Sequence, residues 1–175
     1  YWSDYPWRTA NNINGLNFPE YPAYAGDKRI FMAEQFYDTS DPQLLHIHKA
    51  YIRKSLDAFK GNNNILHHPG VEYTGPLHFV AFWLDEVAAW ERENRQQVLV
   101  MLPGTRDVQD AILSDPVRSK IVDVIDVIQW HYRDDGTLYA PPGGVSLAPR
   151  QYARIMEKGK TSFGQIHRAV SELHA

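Results

Sequence analysis

Residues 98–104, Val-Leu-Val-Met-Leu-Pro-Gly, decide the fold. Five apolar side chains in a row leave no polar face, the pattern of a strand buried on both sides of a parallel sheet, and Pro103-Gly104 ends it. Upstream, Ile65 to His68 reads as a second short buried strand closed by Pro69-Gly70. A helix is expected between the two, opening at Pro76 with Leu77, Val80, Trp83 or Leu84, Val87 and Trp90 on one face, and running to about Asn94. Before it, TSDPQ (39–43) supplies a cap and an early proline. Leu45, His48, Ile52, Leu56 and Phe59 then recur at helical spacing as far as Gly61. Downstream, residues 107–120 read as a shorter helix, and Ile121 to Ile128, rich in β-branched residues, as a third strand running into Gln129-Trp130-His131-Tyr132. Residues 162–175 form a final amphipathic helix.

Alternation of this kind implies parallel strands joined by crossovers, an α/β fold. Three clear strands do not close an eight-stranded barrel, yet an open sheet of so few leaves apolar strands poorly covered. The expectation is therefore part of a (β/α)8 TIM-type barrel: residues 1–175 as a single domain or a fragment of one, with a long aromatic loop region over 1–40, βα units over 41–175, and the rest of a larger polypeptide as partner. In such folds the ligand site lies beyond the carboxyl ends of the strands. Here that means the loops at 69–75, 103–107 and 130–150.

Composition narrows the chemistry. The 175 residues carry a formal net charge of -3 with acidic and basic residues mixed along the chain, which argues against nucleic acid as partner. No apolar run approaches the roughly 18 to 20 residues that cross a bilayer, so no membrane partner is expected. The absence of cysteine removes disulfides and thiolate chemistry. No cofactor is called for, and a neutral polar ligand fits best. The opening segment, with Trp2, Tyr5, Trp7 and Tyr21 as flat apolar faces and Asn11, Asn12 and Asn14 as directional hydrogen-bonding groups, reads either as a sugar-binding loop or as an edge that packs on a larger protein.

Among the titratable groups Glu72 leads, because it follows a strand and precedes a helix, where an apolar setting would raise a carboxyl pKa toward an acid role. The alternative is a carboxylate favouring the amino end of the helix near Pro76. Glycosidic cleavage needs a second carboxyl, about 5 to 5.5 Å away for retention or about 6.5 to 9.5 Å for inversion. Glu34 and Asp107 are the candidates inside the chain, Asp107 also suiting a helix cap. A rival reading puts a divalent ion on His67, His68, Glu72 and His131. Adjacent His67 and His68 point to opposite faces of a strand, so only one reaches the site, and no metal is expected. His68 and His131 serve better as hydrogen-bonding groups for sugar hydroxyls. Trp130 is a stacking platform or a wall residue, with Tyr132 beside it, and Arg106 and Arg150 either clasp the carboxylate of an acidic sugar or sit at the surface. GTLYAPPGGVSL (136–147) has the glycines and prolines of a lid.

The run HKAYIRKSLDAFKGNNNILHHPGVEYTGP (48–76) resembles a stretch of the retaining (β/α)8 glycoside hydrolases, the clan of β-galactosidase- and cellulase-like enzymes. That resemblance implies Glu72 as the acid/base at the end of the fourth strand, with Tyr73 as the aromatic that follows it. VDVIDVIQWHY (122–132) resembles the sixth strand, whose end lines the sugar site, and the span from AEQFYD to EYTGP is similar to uncharacterised barrel proteins of bacterial polysaccharide degradation. Val71 stands where the clan has asparagine, and no glutamate of the chain matches the clan's nucleophile. The resemblance extends over roughly residues 40 to 135 and implies a secreted or periplasmic glycoside hydrolase acting on a poly- or oligosaccharide. A non-catalytic carbohydrate-binding domain and a metal-dependent hydrolase on a barrel are the alternatives. The expected substrate contacts are Tyr73, His68, Trp130, His131, Tyr132, Trp7, Asn11, Asn12, Arg106 and Asp107.

Overall fold

Helix formation after Asp38 has a local cause. The Asp41 carboxylate accepts from the backbone N–H groups of Gln43 and Leu44 at 2.9 and 3.2 Å, and Pro42 occupies the first turn, where its missing N–H costs nothing. The computed structural model describes residues 6–18, 33–133, 135–139, 142–144 and 163–173. Within them a short α1 (Ala33–Phe36) precedes α2 (Pro42–Ala58), and β1 (Leu66–His67) leads to α3 (Leu77–Asn94). β2 (Leu99–Leu102), α4 (Arg106–Leu113), a 3-10 turn at Arg118–Ile121 and β3 (Val124–Ile125) complete the α/β unit. The hairpin β4 (His131–Tyr132) and β5 (Leu138–Tyr139) and the helix α5 (Phe163–Leu173) follow.

The three parallel strands pair in the order β1-β2-β3, so chain order and sheet order coincide. Two expectations need correcting. The third strand is only Val124–Ile125 rather than 121–128, because Asp123 and Asp126 turn the backbone. The Asp123 carboxylate takes the Val100 N–H at 2.8 Å, and past the last ladder bond, from the Asp126 N–H to the Leu102 carbonyl at 3.0 Å, the Asp126 carboxylate takes the Ile128 N–H at 2.9 Å and turns the chain away. On α2 the buried stripe is Leu44, His48, Ile52 and Leu56, at a spacing of four, which places Leu45 at the margin and Phe59 in solvent.

Register divides the sheet into two unlike faces. Leu66 pairs with Leu99 and Met101 with Val124, which places all four on one side, while His67, Val100, Leu102 and Ile125 share the other. Val100 and Leu102 are sealed in one core with Val80, Leu84, Val87 and Trp90 of α3 and Ile112 of α4. On the opposite side Leu66, Leu99 and Val124 are 38%, 42% and 41% exposed. A polar seam fixes α2 against α3: Glu86, buried on α3, takes Lys49 at 2.9 Å and Arg53 at 3.2 Å, and the Trp90 indole donates to Asp57 at 2.8 Å.

The two faces predict different costs for the same kind of truncation. Leu84→Ala, in the sealed core, is expected to lower unfolding free energy by ~2–5 kcal/mol. Leu99→Ala, on the open face, is expected to cost less than about 1 kcal/mol. Urea titration of the two variants checks the difference.

Candidate functional site

The chain leaves β1 through His68-Pro69-Gly70 and reaches α3 at Leu77, and one side chain fixes that connection. Tyr73 is only 5% exposed; its ring sits edge-on to Tyr37, with centroids 5.7 Å apart, and its hydroxyl donates to the Pro76 carbonyl at 3.3 Å. Burial, with Tyr37 adding to it, holds the phenol well above its ordinary pKa, so it remains a donor. The ring folds so closely over Gly75 that a Cβ there would overlap it. With Tyr73 turned inward, Glu72 is exposed and its backbone takes φ 50°, the left-handed region. Among the described residues only Arg95 shares that feature without being glycine, and Arg95 is the C-cap of α3, where such a conformation is ordinary. At Glu72 the left-handed backbone ends no helix.

Next to this loop opens a cleft of about 370 Å³. Trp7, Tyr37, Tyr51, Ser55, His67 and His68 are among its walls, with His48 and Trp83 also lining it, and Gly70 and Val71 carry its rim to the residue before Glu72. The His48 Nε2 lies 2.8 Å from the Phe36 carbonyl, and burial lowers its pKa further than that contact raises it. His67 is lowered as well, by burial first and then by His68. Both imidazoles are therefore neutral at pH 7. The Nδ1 of His68 is buried without a hydrogen-bond partner.

The three loops named from the sequence meet. The Gly144 N–H donates to the Thr74 carbonyl at 2.8 Å, and the Gly143 N–H reaches the two carboxylate oxygens of Asp107 at 3.1 and 3.3 Å. Gly143 is required there, since a Cβ would lie 2.9 Å from the Gly75 carbonyl and overlap Val108. Residues 142–144 thus close over the carboxyl ends of β1 and β2.

The whole chain, residues 1–175, matches the model of one family, described as a domain of unknown function, DUF6298. The chain belongs to the DUF6298 family. No curated protein and no solved structure matches it.

Several expected ligand contacts prove structural in this DUF6298 domain. Tyr73 is core, for the reasons above. Trp130 is 6% exposed, its indole N–H donates to Gln109 at 2.6 Å, and the Arg106 guanidinium lies 4.2 Å from its ring centroid, so no sugar can stack there. Arg106 in turn pairs with Asp110 at 2.8 Å and Glu172 at 3.1 Å. Tyr132 is buried under Arg168, whose guanidinium lies 4.3 Å from the ring centroid, and burial followed by Glu172 raises its pKa. Asn12 organises a turn, accepting from the N–H groups of Asn14 and Leu16 and donating to the Pro6 carbonyl, and the Asn11 N–H bonds the Arg8 carbonyl. Asp107 does not cap α4: Thr105 is the N-cap, and the Asp107 carboxylate holds Gly143 instead. Nor does Glu72 cap α3, whose N-cap is Pro76 without a side-chain bond. Trp7 and His68 do line the cleft. His67 joins them because β1 ends at His67, so strand alternation no longer separates the pair.

Trp2, Tyr5, Tyr21 and Arg150, and the side chains of Glu34 and His131, lie outside the described residues. Among the described residues no three His, Asp or Glu side chains converge as a metal site, and no helix is long and apolar enough to cross a membrane. The sequence reading missed Tyr51 and Ser55. Their signal was the i, i+4 spacing of two hydrogen-bonding residues flanking the buried stripe of α2.

His48 supplies a pH test. Its folded pKa lies below the unfolded value of 6.5, so the unfolded chain binds more protons and stability falls as pH drops through about 6.5. Urea midpoints are expected to decline between about pH 7 and 5. His48→Gln, which retains a donor, is expected to flatten that decline.

Proposed function

We propose that this domain is the acid-bearing part of a glycoside hydrolase, with Glu72 giving its proton to the leaving glycosidic oxygen. The observation that carries the reading is the backbone of Glu72. A non-glycine residue held at φ 50° outside a helix cap, exposed at the carboxyl end of a parallel strand, costs on the order of 1–2 kcal/mol, and such strain gathers where chemistry is done. The cleft that begins at the preceding residue supports it, since aromatic faces interleaved with neutral histidines and a serine suit a polyhydroxylated ring.

In this mechanism the bond between the anomeric carbon and the leaving oxygen breaks as Glu72 transfers its proton to that oxygen, leaving Glu72 ionised. A second carboxylate stabilises the anomeric carbon or takes the proton of the attacking water. Asp107, engaged with Gly143, is poorly placed to serve. We assign that role to further strands of a (β/α)8 barrel in a larger polypeptide. The open apolar face of Leu66, Leu99, Met101 and Val124 supports this, because parallel strands are covered on both faces and a barrel interior would cover these. A non-catalytic carbohydrate-binding role is the second reading, favoured by the engagement of Asp107.

Glu72→Gln, measured in the polypeptide that carries the domain, decides between them. The hydrolase reading expects turnover of oligosaccharide to fall by about 10²–10⁴-fold with binding retained. Cleavage that survives the substitution removes Glu72 from the acid role.

A further inference from the structure

The walls of the cleft beside Glu72 share a property independent of their shape. Among the described residues, none that lines it is Asp, Glu, Lys or Arg. Its two histidines with shifted pKa values, His48 and His67, are held neutral by burial. Its other hydrogen-bonding groups are the hydroxyls of Tyr37, Tyr51 and Ser55 and the His68 ring.

Charge decides what can enter. A carboxylate or ammonium moved into such a site loses its hydration and finds no opposite charge among the described residues that line it, so the charged form is excluded far more strongly than an uncharged ring of the same size. The cation that the sequence offered for an acidic sugar, Arg106, is committed elsewhere, to Asp110, Glu172 and the Trp130 ring. A neutral ring with an apolar face and peripheral hydroxyls finds both complements here: Trp7 and Tyr51 for the face, and Ser55 and His68 for the hydroxyls. The volume, about 370 Å³, is at the small end of the range for ligand sites, suited to one or two rings rather than a long segment.

We propose that this cleft is a subsite for an uncharged hexopyranose ring and rejects uronic acids. The proposal rests on the carbohydrate reading of the same site and adds the class of sugar. Tyr51, two-thirds exposed, supplies a stacking face at the mouth.

Tryptophan fluorescence of the 175-residue chain tests it, with circular dichroism establishing that each sample is folded. The probes are the methyl glycosides of glucose, galactose and mannose, the glucuronoside and galacturonoside that differ from two of them only by a carboxylate, and phenol. At least one neutral glycoside is expected to give a saturable change, with its uronoside at least about tenfold weaker. Tyr51→Ala, at an exposed position, is expected to weaken the neutral glycoside by about 2- to 10-fold without changing the far-ultraviolet spectrum. Equal or tighter binding of a uronoside overturns the proposal, as do indifference to Tyr51→Ala, absence of binding by a folded chain, or tighter binding of phenol than of any sugar. Failure here is separable from failure of the catalytic reading. Tyr51-dependent binding of a neutral sugar with cleavage undiminished in Glu72→Gln removes the acid and keeps the subsite. Glu72-dependent cleavage of a uronoside removes the subsite and keeps the acid.

Discussion

The Tyr73 ring, buried against Tyr37 and folded over Gly75, is the contact on which the candidate site depends. A phenol buried this deeply must keep its proton and find an acceptor, and the Pro76 carbonyl, three residues on, is the one it has. That short loop leaves the backbone little choice. With residue 73 committed inward and residue 77 committed to a helix, the preceding residue is held left-handed and its side chain stands in solvent. The backbone of Glu72 is therefore set by its neighbour, and the strain it carries is offset by the burial of Tyr73.

What anchors Tyr73 is the packing of α2 and α3 on one face of the sheet. Val100 and Leu102 supply that face, Val80, Leu84 and Val87 cover it, and Glu86 binds α2 to α3 through Lys49 and Arg53. The opposite face has no such cover among the described residues, although its side chains are equally apolar. The same one-sidedness makes the cleft. Where α2 passes β1, the walls are aromatic and histidine side chains at the margin of the core, close enough to be half-buried and loose enough to leave space between them.

Much of this was legible in the residues, and the parts that were not have specific causes. The run Val98 to Leu102 and the stripe Val80, Leu84, Val87 and Trp90 each declare their element, because period and burial agree over many residues. Residues 121–128 mislead, since β-branched composition promises a strand while Asp123 and Asp126 divert the backbone through their carboxylates, a contest between side chain and ladder that composition does not register. The convergence of three loops follows from topology alone and appears in the Gly143 and Gly144 contacts. The roles of Trp130 and Tyr132 do not follow, because an aromatic at a strand end is a platform or a wall according to what covers it, and the covering cations, Arg106 and Arg168, come from helices 24 residues earlier and 36 later. His68 and Trp7 were placed at the site by chemistry, but Tyr51 and Ser55 required the packing of α2 against β1.

If the left-handed backbone at Glu72 is held by Tyr73 for the sake of the carboxylate, stability and function should separate at this residue. Equilibrium urea unfolding of Glu72→Gly measures that directly. Glycine adopts positive φ freely, so the substitution is expected to leave stability unchanged or to raise it by up to about 1 kcal/mol, with Glu72→Ala less stable than Glu72→Gly. A loss of about 0.5–1 kcal/mol on Glu72→Gly, the ordinary entropic cost of glycine, would show an unstrained backbone and contradict the account.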